Sequence, residues 1–144
     1  MIASWFAKRM VRSMGDKAFA GDVEGAFANV SDDALYDVPL DISAGGTLKG
    51  KKALMDWYRR WYEQFPKRKL TMTNIAFAAW PLSPTNVVMA EYTCEETDRE
   101  GKEFKYDGAL VLQMKGGKGI RATEYIACKG LAKLSTLMKP TAKA

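Results

Sequence analysis

The stretch "GTLKGKKALMDWYRRWYEQFP", Gly46 to Pro66, decides the fold. Its glycines set a turn, "AGGTLKG", and Pro66 marks a stop, so residues 50–65 read as one long helix. At about 100° per residue, Leu54, Tyr58, Trp61 and Phe65 share the centre of one face. Trp57 and Tyr62 flank that face. Lys52, Asp56, Arg59, Arg60 and Glu63 fall opposite, so both arginines belong to solvent. Most of the aromatic face is expected to pack on a sheet, with Trp57, Trp61 and Phe65 mainly in the core. Buried Tyr and Trp need hydrogen-bond partners, so the space behind the helix is expected to be partly polar. A ligand cavity begins in that way, and Tyr58 is the residue placed at its wall.

Outward from this helix, the chain divides into two halves. Residues 4–19 read as an amphipathic helix with Phe6, Met10, Met14 and Ala18 on one side. Gly21 closes it, Asp22 caps a short second helix, and Glu24 sits in that helix's first turn. "ALYDVPL" reads as a strand stopped by Pro39. Beyond Pro66, residues 67–80, 86–98, 103–115 and 118–128 are strand-like, rich in Val, Thr, Tyr, Phe and Ile. "PLSPTN", "DREGKE" and "KGGKG" separate them. Helices followed by an antiparallel meander make an α+β protein, not an alternating β-α one. The last stretch, "KGLAKLSTLMKP", reads as a short amphipathic helix within a basic tail, residues 129–144.

The chain of 144 residues is 47% hydrophobic and 27% charged, a composition that supports one folded domain. Its net charge is +5. The ends carry that excess: Lys8, Arg9, Arg12 and Lys17 face only Asp16, and Lys129, Lys133, Lys139 and Lys143 face no acid. The body between them is slightly acidic, which argues against a nucleic-acid surface. Cys94 and Cys128 lie far apart in no metal-type spacing and read as free thiols, so the expected location is cytoplasmic. No apolar run approaches the roughly 20 residues of a membrane span. There is no histidine, which removes Ser-His-Asp and Cys-His nucleophile systems and His-ligated metals. Any acid–base work falls to Asp, Glu, Tyr, Lys or Cys.

Three carboxylates stand out. On 118–128, Glu124 shares a face with Ile120, Ala122, Ile126 and Cys128, all apolar. A carboxyl there is costly unless it is paired or functional, and its pKa would rise toward the range of a general acid or base. Glu91 shares a face with Val87 and Met89, and Asp107 with Ala109 and Val111. Each of these two also reads as an outward charge or as half of a pair with Lys105 or Arg121. "CEETDREGKE" reads as a hairpin tip, not a calcium loop. "KGGKG" lacks the strand–loop–helix context of a phosphate cradle.

In order and spacing, "GDVEGAFANVSDDALYDVP", "GTLKGKKALMDWYRRWYEQFP" and "GKGIRATEYI" resemble the SnoaL-like proteins of the nuclear-transport-factor-2-like superfamily. The resemblance covers roughly residues 5–128. It implies a barrel-like cone, a strongly curved antiparallel sheet wrapped around about three N-terminal helices, in a domain spanning 1–128. It also implies a homodimer and a pocket for a small apolar, ring-containing molecule. Relatives include polyketide cyclases, ketosteroid isomerases and epoxide hydrolases, so the fold alone does not settle function. The isomerases' catalytic Asp falls at Val38, one residue from Asp37, and their helix-1 Tyr falls at Met14. Tyr58 matches a pocket Tyr, while the isomerases' protonated Asp falls between Asp107 and Ala109. Glu124 matches an acidic position of many cyclases and epoxide hydrolases.

The expected site therefore comprises Glu124 as acid or base, Asp107 as second carboxyl and Tyr58 as hydrogen-bond donor. Trp57, Trp61, Tyr92, Met14 and Val38 are expected to line the pocket. No metal or cofactor is expected. The expected chemistry is isomerisation, cyclisation or hydration; the alternative is a non-catalytic binding or dimerisation module.

Overall fold

The computed structural model describes residues 2–39, 45–79 and 84–127. Helix α1 (Ile2–Ala20) ends at Gly21, whose φ of 88° is the left-handed value that favours glycine. Helix α2 (Val23–Ala26) is capped by Asp22, which accepts from the Gly25 backbone N–H at 2.9 Å. Strand β1 (Val30–Val38), strand β2 (Gly46–Lys49) and helix α3 (Lys51–Gln64) follow. Strands β3 (Lys67–Ala79), β4 (Asn86–Thr97), β5 (Glu103–Lys115) and β6 (Lys118–Ile126) complete the described chain.

The four strand-like runs after Pro66 are present almost as read. Three features differ from expectation. First, "GTLK" is not only a turn: β2 pairs antiparallel with β1, Leu35 opposite Lys49 and Val38 opposite Gly46. Gly50 (φ 88°) then turns the chain into α3 while its N–H bonds the Ala34 carbonyl at 2.8 Å. Second, β1 starts at Val30 rather than near Ala34, because Val30 pairs with Gly119 of β6. Strand propensity in "SDD" is poor, and tertiary pairing overrides it. Third, the β1–β6 pairing is parallel, so the six-stranded sheet is mixed, in the order β2-β1-β6-β5-β4-β3. β2 and β3 are its edges, so this curved sheet is open rather than closed into a barrel. Irregularities in β1, β3 and β6 interrupt the ladders, and such bulges bend strands.

The helices pack on one face of the sheet, α1 against β3 and α3 against β1. Leu54, Trp57, Trp61 and Phe65 of α3 are buried there, as its helical wheel requires. The buried stripe of α1 runs through Ala7, Val11 and Ala18, with Met10 and Met14 half-buried. Phe6, expected on that stripe, is 59% exposed; Ala7 and Val11 take the inward positions one helical step away. Among the described residues no helix is long and apolar enough to cross a membrane. The expected C-terminal helix and Cys128 lie outside the described residues.

Candidate functional site

The strand alternation aims the chemistry. On β4 the inward series is Val88, Ala90, Tyr92, Cys94, Glu96, all buried. On β1 it is Ala34, Tyr36, Val38, also buried. On β6, Ala122, Glu124 and Ile126 point inward, beneath the aromatic face of α3.

Glu124 is the centre of the arrangement. The Tyr36 hydroxyl donates to its Oε2 at 2.7 Å, and the Tyr92 hydroxyl donates to its Oε1 in a short bond. The Tyr58 hydroxyl lies 3.4 Å from that of Tyr36, extending the chain of phenols onto α3. Among the described residues no Lys or Arg forms an ion pair with Glu124. Burial raises its pKa, and the two phenol donors pull in the opposite direction. Burial, reinforced whenever Glu124 is ionised, holds Tyr36, Tyr58 and Tyr92 protonated, so all three are hydroxyl donors at ordinary pH.

This group opens on a cavity of about 70 Å³ between the sheet and helices α1 and α3. Its walls are aromatic and aliphatic, with Met14 and Met72 on the α1 and β3 side. The cavity is small beside the roughly 300–1,000 Å³ pockets that enclose drug-sized ligands. It suits a compact molecule, or a larger one that displaces the flexible methionines. The indole Nε1 of Trp57, which lines the cavity, is buried without a partner. A larger groove of about 420 Å³ runs beside Trp5, Phe6, Arg9 and Lys17 of α1, but its walls hold no carboxylate.

Of the expected site residues, Glu124, Tyr58, Trp57, Trp61, Tyr92 and Met14 all line this one cavity. Two do not. Asp107 is exposed on the opposite face of β5 and accepts from the Thr93 hydroxyl at 2.6 Å. The alternation of β5 buries Phe104 and Leu112 and turns Asp107 outward. Val38 is buried where β1 pairs with Gly46, away from the cavity walls. Glu91 is also outward, bonded by Asn74 at 2.7 Å, and Arg121 is engaged by Asp37 at 2.6 Å.

The second inward carboxyl is Glu96, only 2% exposed. It accepts from the Cys94 thiol at 3.3 Å, and its Oε2 has no partner. It stands behind the wall formed by Trp61 and Tyr106. Burial pushes its pKa up to about 7, against the lowering pull of Cys94, Tyr106 and Trp61. Sequence reasoning assigned Glu96 to a hairpin tip, and did not single out Tyr36 or Tyr106. The signal was present: Glu96 continues the series Val88-Ala90-Tyr92-Cys94, and Tyr36 lies between Ala34 and Val38. Among the described residues no group of three or more Cys, Asp or Glu is placed to hold a metal ion.

A mixed curved sheet packed on N-terminal helices, with a small, mainly apolar cavity between them, is the nuclear-transport-factor-2-like fold. The chain belongs to the SnoaL-like domain family, whose model matches residues 8–122. No curated protein matches the chain. Solved structures share the fold at low identity. A nuclear-transport-factor-2-like protein of unknown function from Burkholderia pseudomallei is 17% identical, with TM-score 0.72 over 92% of this chain and 97% of that one. A polyketide cyclase assigned by inference in Xanthomonas campestris is 15% identical, with TM-score 0.66 over 92% and 96%. A protein of ketosteroid isomerase-like fold from Catenulispora acidiphila, solved with trimethylamine, is 15% identical, with TM-score 0.69 over 89% and 92%.

Proposed function

We propose that this protein binds a compact, mostly apolar molecule, small rings included, with one polar group set against Glu124. The observation that carries this reading is the half-buried Glu124 carboxyl on the wall of an apolar cavity, served by two tyrosine hydroxyls and, among the described residues, by no cation. An ionisable group kept in such surroundings is poised for proton exchange. Where the ligand is turned over, the step is cofactor-free acid–base chemistry of the isomerisation, cyclisation or hydration kind. Glu124 takes or gives the proton, and Tyr58 donates a hydrogen bond to the oxygen on which charge develops. Asp107 has no part in it.

The protein is further proposed to act as a homodimer through the outer face of the sheet. Met89 and Tyr125 are 49% and 58% exposed on that face.

A thermal-shift panel of small cyclic ketones, lactones and terpenoids tests the pocket. A ligand near its dissociation constant raises the midpoint by mass action. The reading expects stabilisation of wild type by at least one class, lost in Glu124→Gln and weakened in Tyr58→Phe. Equal shifts in wild type and both variants would remove Glu124 and Tyr58 from the site.

A further inference from the structure

The cavity's charge balance selects among ligands. Glu124 projects from β6 into a space bounded by β1, β4, β5, α1, α3 and β3. The titratable groups that face it are Tyr36 from β1, Tyr58 from α3, Tyr92 and Cys94 from β4, and Tyr106 from β5. Glu96 on β4 also acts on it through the wall. The α1 and β3 walls contribute Met14, Phe19, Leu70 and Met72, with no charge. Every one of these groups is neutral or acidic. Among the described residues an ionised Glu124 therefore has no counter-charge, and an uncompensated charge withdrawn from water is strongly disfavoured.

The walls also carry aromatic rings. Rings of Tyr36, Trp57, Tyr58 and Trp61 stand together, with centroids 5.2 Å apart for Trp57–Tyr58, 5.4 Å for Tyr58–Trp61 and 6.3 Å for Tyr36–Tyr58. Clustered aromatic rings attract an alkylated ammonium through their π-faces, and a carboxylate among them adds the counter-charge. The same walls hold no Lys or Arg, so a phosphate or carboxylate would find no counter-charge there.

We propose that the polar group of the natural ligand is a positive nitrogen, and that the cavity takes a small organic ammonium ion paired with Glu124. This rests on the cavity being a ligand site, as proposed above, and specifies its ligand class. The empty site keeps Glu124 protonated more readily than an exposed glutamate, so binding a permanent cation expels that proton. Affinity then rises with pH, by about tenfold per unit while one proton is released, and levels off once Glu124 is ionised.

The test is isothermal calorimetry of the whole protein with tetramethylammonium chloride and, in parallel, with tert-butanol, its neutral counterpart of similar shape. Titrations run from pH 5 to pH 9 in buffers of different ionisation enthalpy, which count the protons released. The expected result is saturable tetramethylammonium binding that strengthens with pH, releases a proton at low pH, and is lost in Glu124→Gln. A Trp57→Leu variant, which keeps the carboxylate, should weaken the cation more than the alcohol. Saturable binding of tert-butanol alone would overturn the cation assignment while leaving the pocket reading intact. Binding of neither probe, with no hit in the thermal-shift panel, would overturn both. Tetramethylammonium binding that is independent of pH and survives in Glu124→Gln would place the cation elsewhere and likewise overturn the assignment.

Discussion

At the scale of single residues, two inward-facing carboxyls, Glu96 and Glu124, set the protein's response to pH. Glu96 has a folded-state pKa of about 7 against an ordinary 4.5, so between those values the folded state holds a proton that the unfolded state has released. Its contribution to stability is full below about pH 4.5 and is lost as pH rises to about 7. Glu124 has the same sign, since burial raises it too. The Glu96→Gln variant should therefore match wild type in acid and exceed it above neutrality, by about 3 kcal/mol for a shift of this size. Urea unfolding at pH 4.5 and pH 8 measures the difference. A variant that is less stable than wild type at pH 8 would mean that Glu96 is ionised and held by its neighbours. Glu124→Gln should likewise raise stability at pH 8 while removing ligand binding, a trade of function for stability.

At the scale of elements, the site depends on how β5 lets β4 approach. Gly108 of β5 lies opposite Tyr92 of β4. A Cβ at position 108 would come within 2.5 Å of the Tyr92 ring and hydroxyl and 2.9 Å of the Tyr125 carbonyl. Gly108→Ala should push Tyr92 off Glu124 and cost about 1–3 kcal/mol. Circular dichroism melts would record the loss, and binding should weaken with it; an unchanged melt and affinity would show that Tyr92 has room to yield. Trp61, packed edge-on to Phe19 at 5.1 Å, ties α3 to α1, and Trp61→Ala should cost about 3–5 kcal/mol by denaturant unfolding.

The same elements show what the sequence could reveal. Helix α3 was legible because one wheel separates its aromatics from its charges. Strands β3 to β6 were legible because turn residues bracket them. Glu124 was legible because its face is otherwise apolar. Strand β2 was not, because four residues among glycines carry almost no pattern, and only pairing with β1 makes them a strand. The parallel β1–β6 pair joins positions such as Tyr36 and Ala122, so no local signal marks it. Glu96 was hidden by its acidic neighbours: Glu95 beside it is half-exposed and bridged to Lys105 at 2.8 Å, and composition cannot separate the two. Asp107 shared its face with Ala109 and Val111, and an apolar outer face imitates a core.

At the scale of the whole molecule, that outer face connects fold to assembly. With the helices covering the inner face, the opposite face of β4–β6 presents Met89 and Tyr125 to solvent. The proposed homodimer would cover them. Light scattering after gel filtration should give twice the chain mass for wild type and the single-chain mass for Met89→Asp. Wild type eluting as a monomer at all concentrations would remove the dimer from the account.

The central claim is that Glu124 is a half-buried carboxyl on the wall of an apolar cavity, with no cation among the described residues to balance it. Carbon-13 NMR titration of the glutamate side-chain carboxyls, with Glu124→Gln and Glu96→Gln for assignment, tests it most directly. The account predicts that the resonance missing in Glu124→Gln titrates above the ordinary 4.5, and moves downward when a cationic ligand is bound. Titration of that resonance at or below 4.5 in the unliganded protein would contradict it, and would make Glu124 a structural acceptor for Tyr36 and Tyr92.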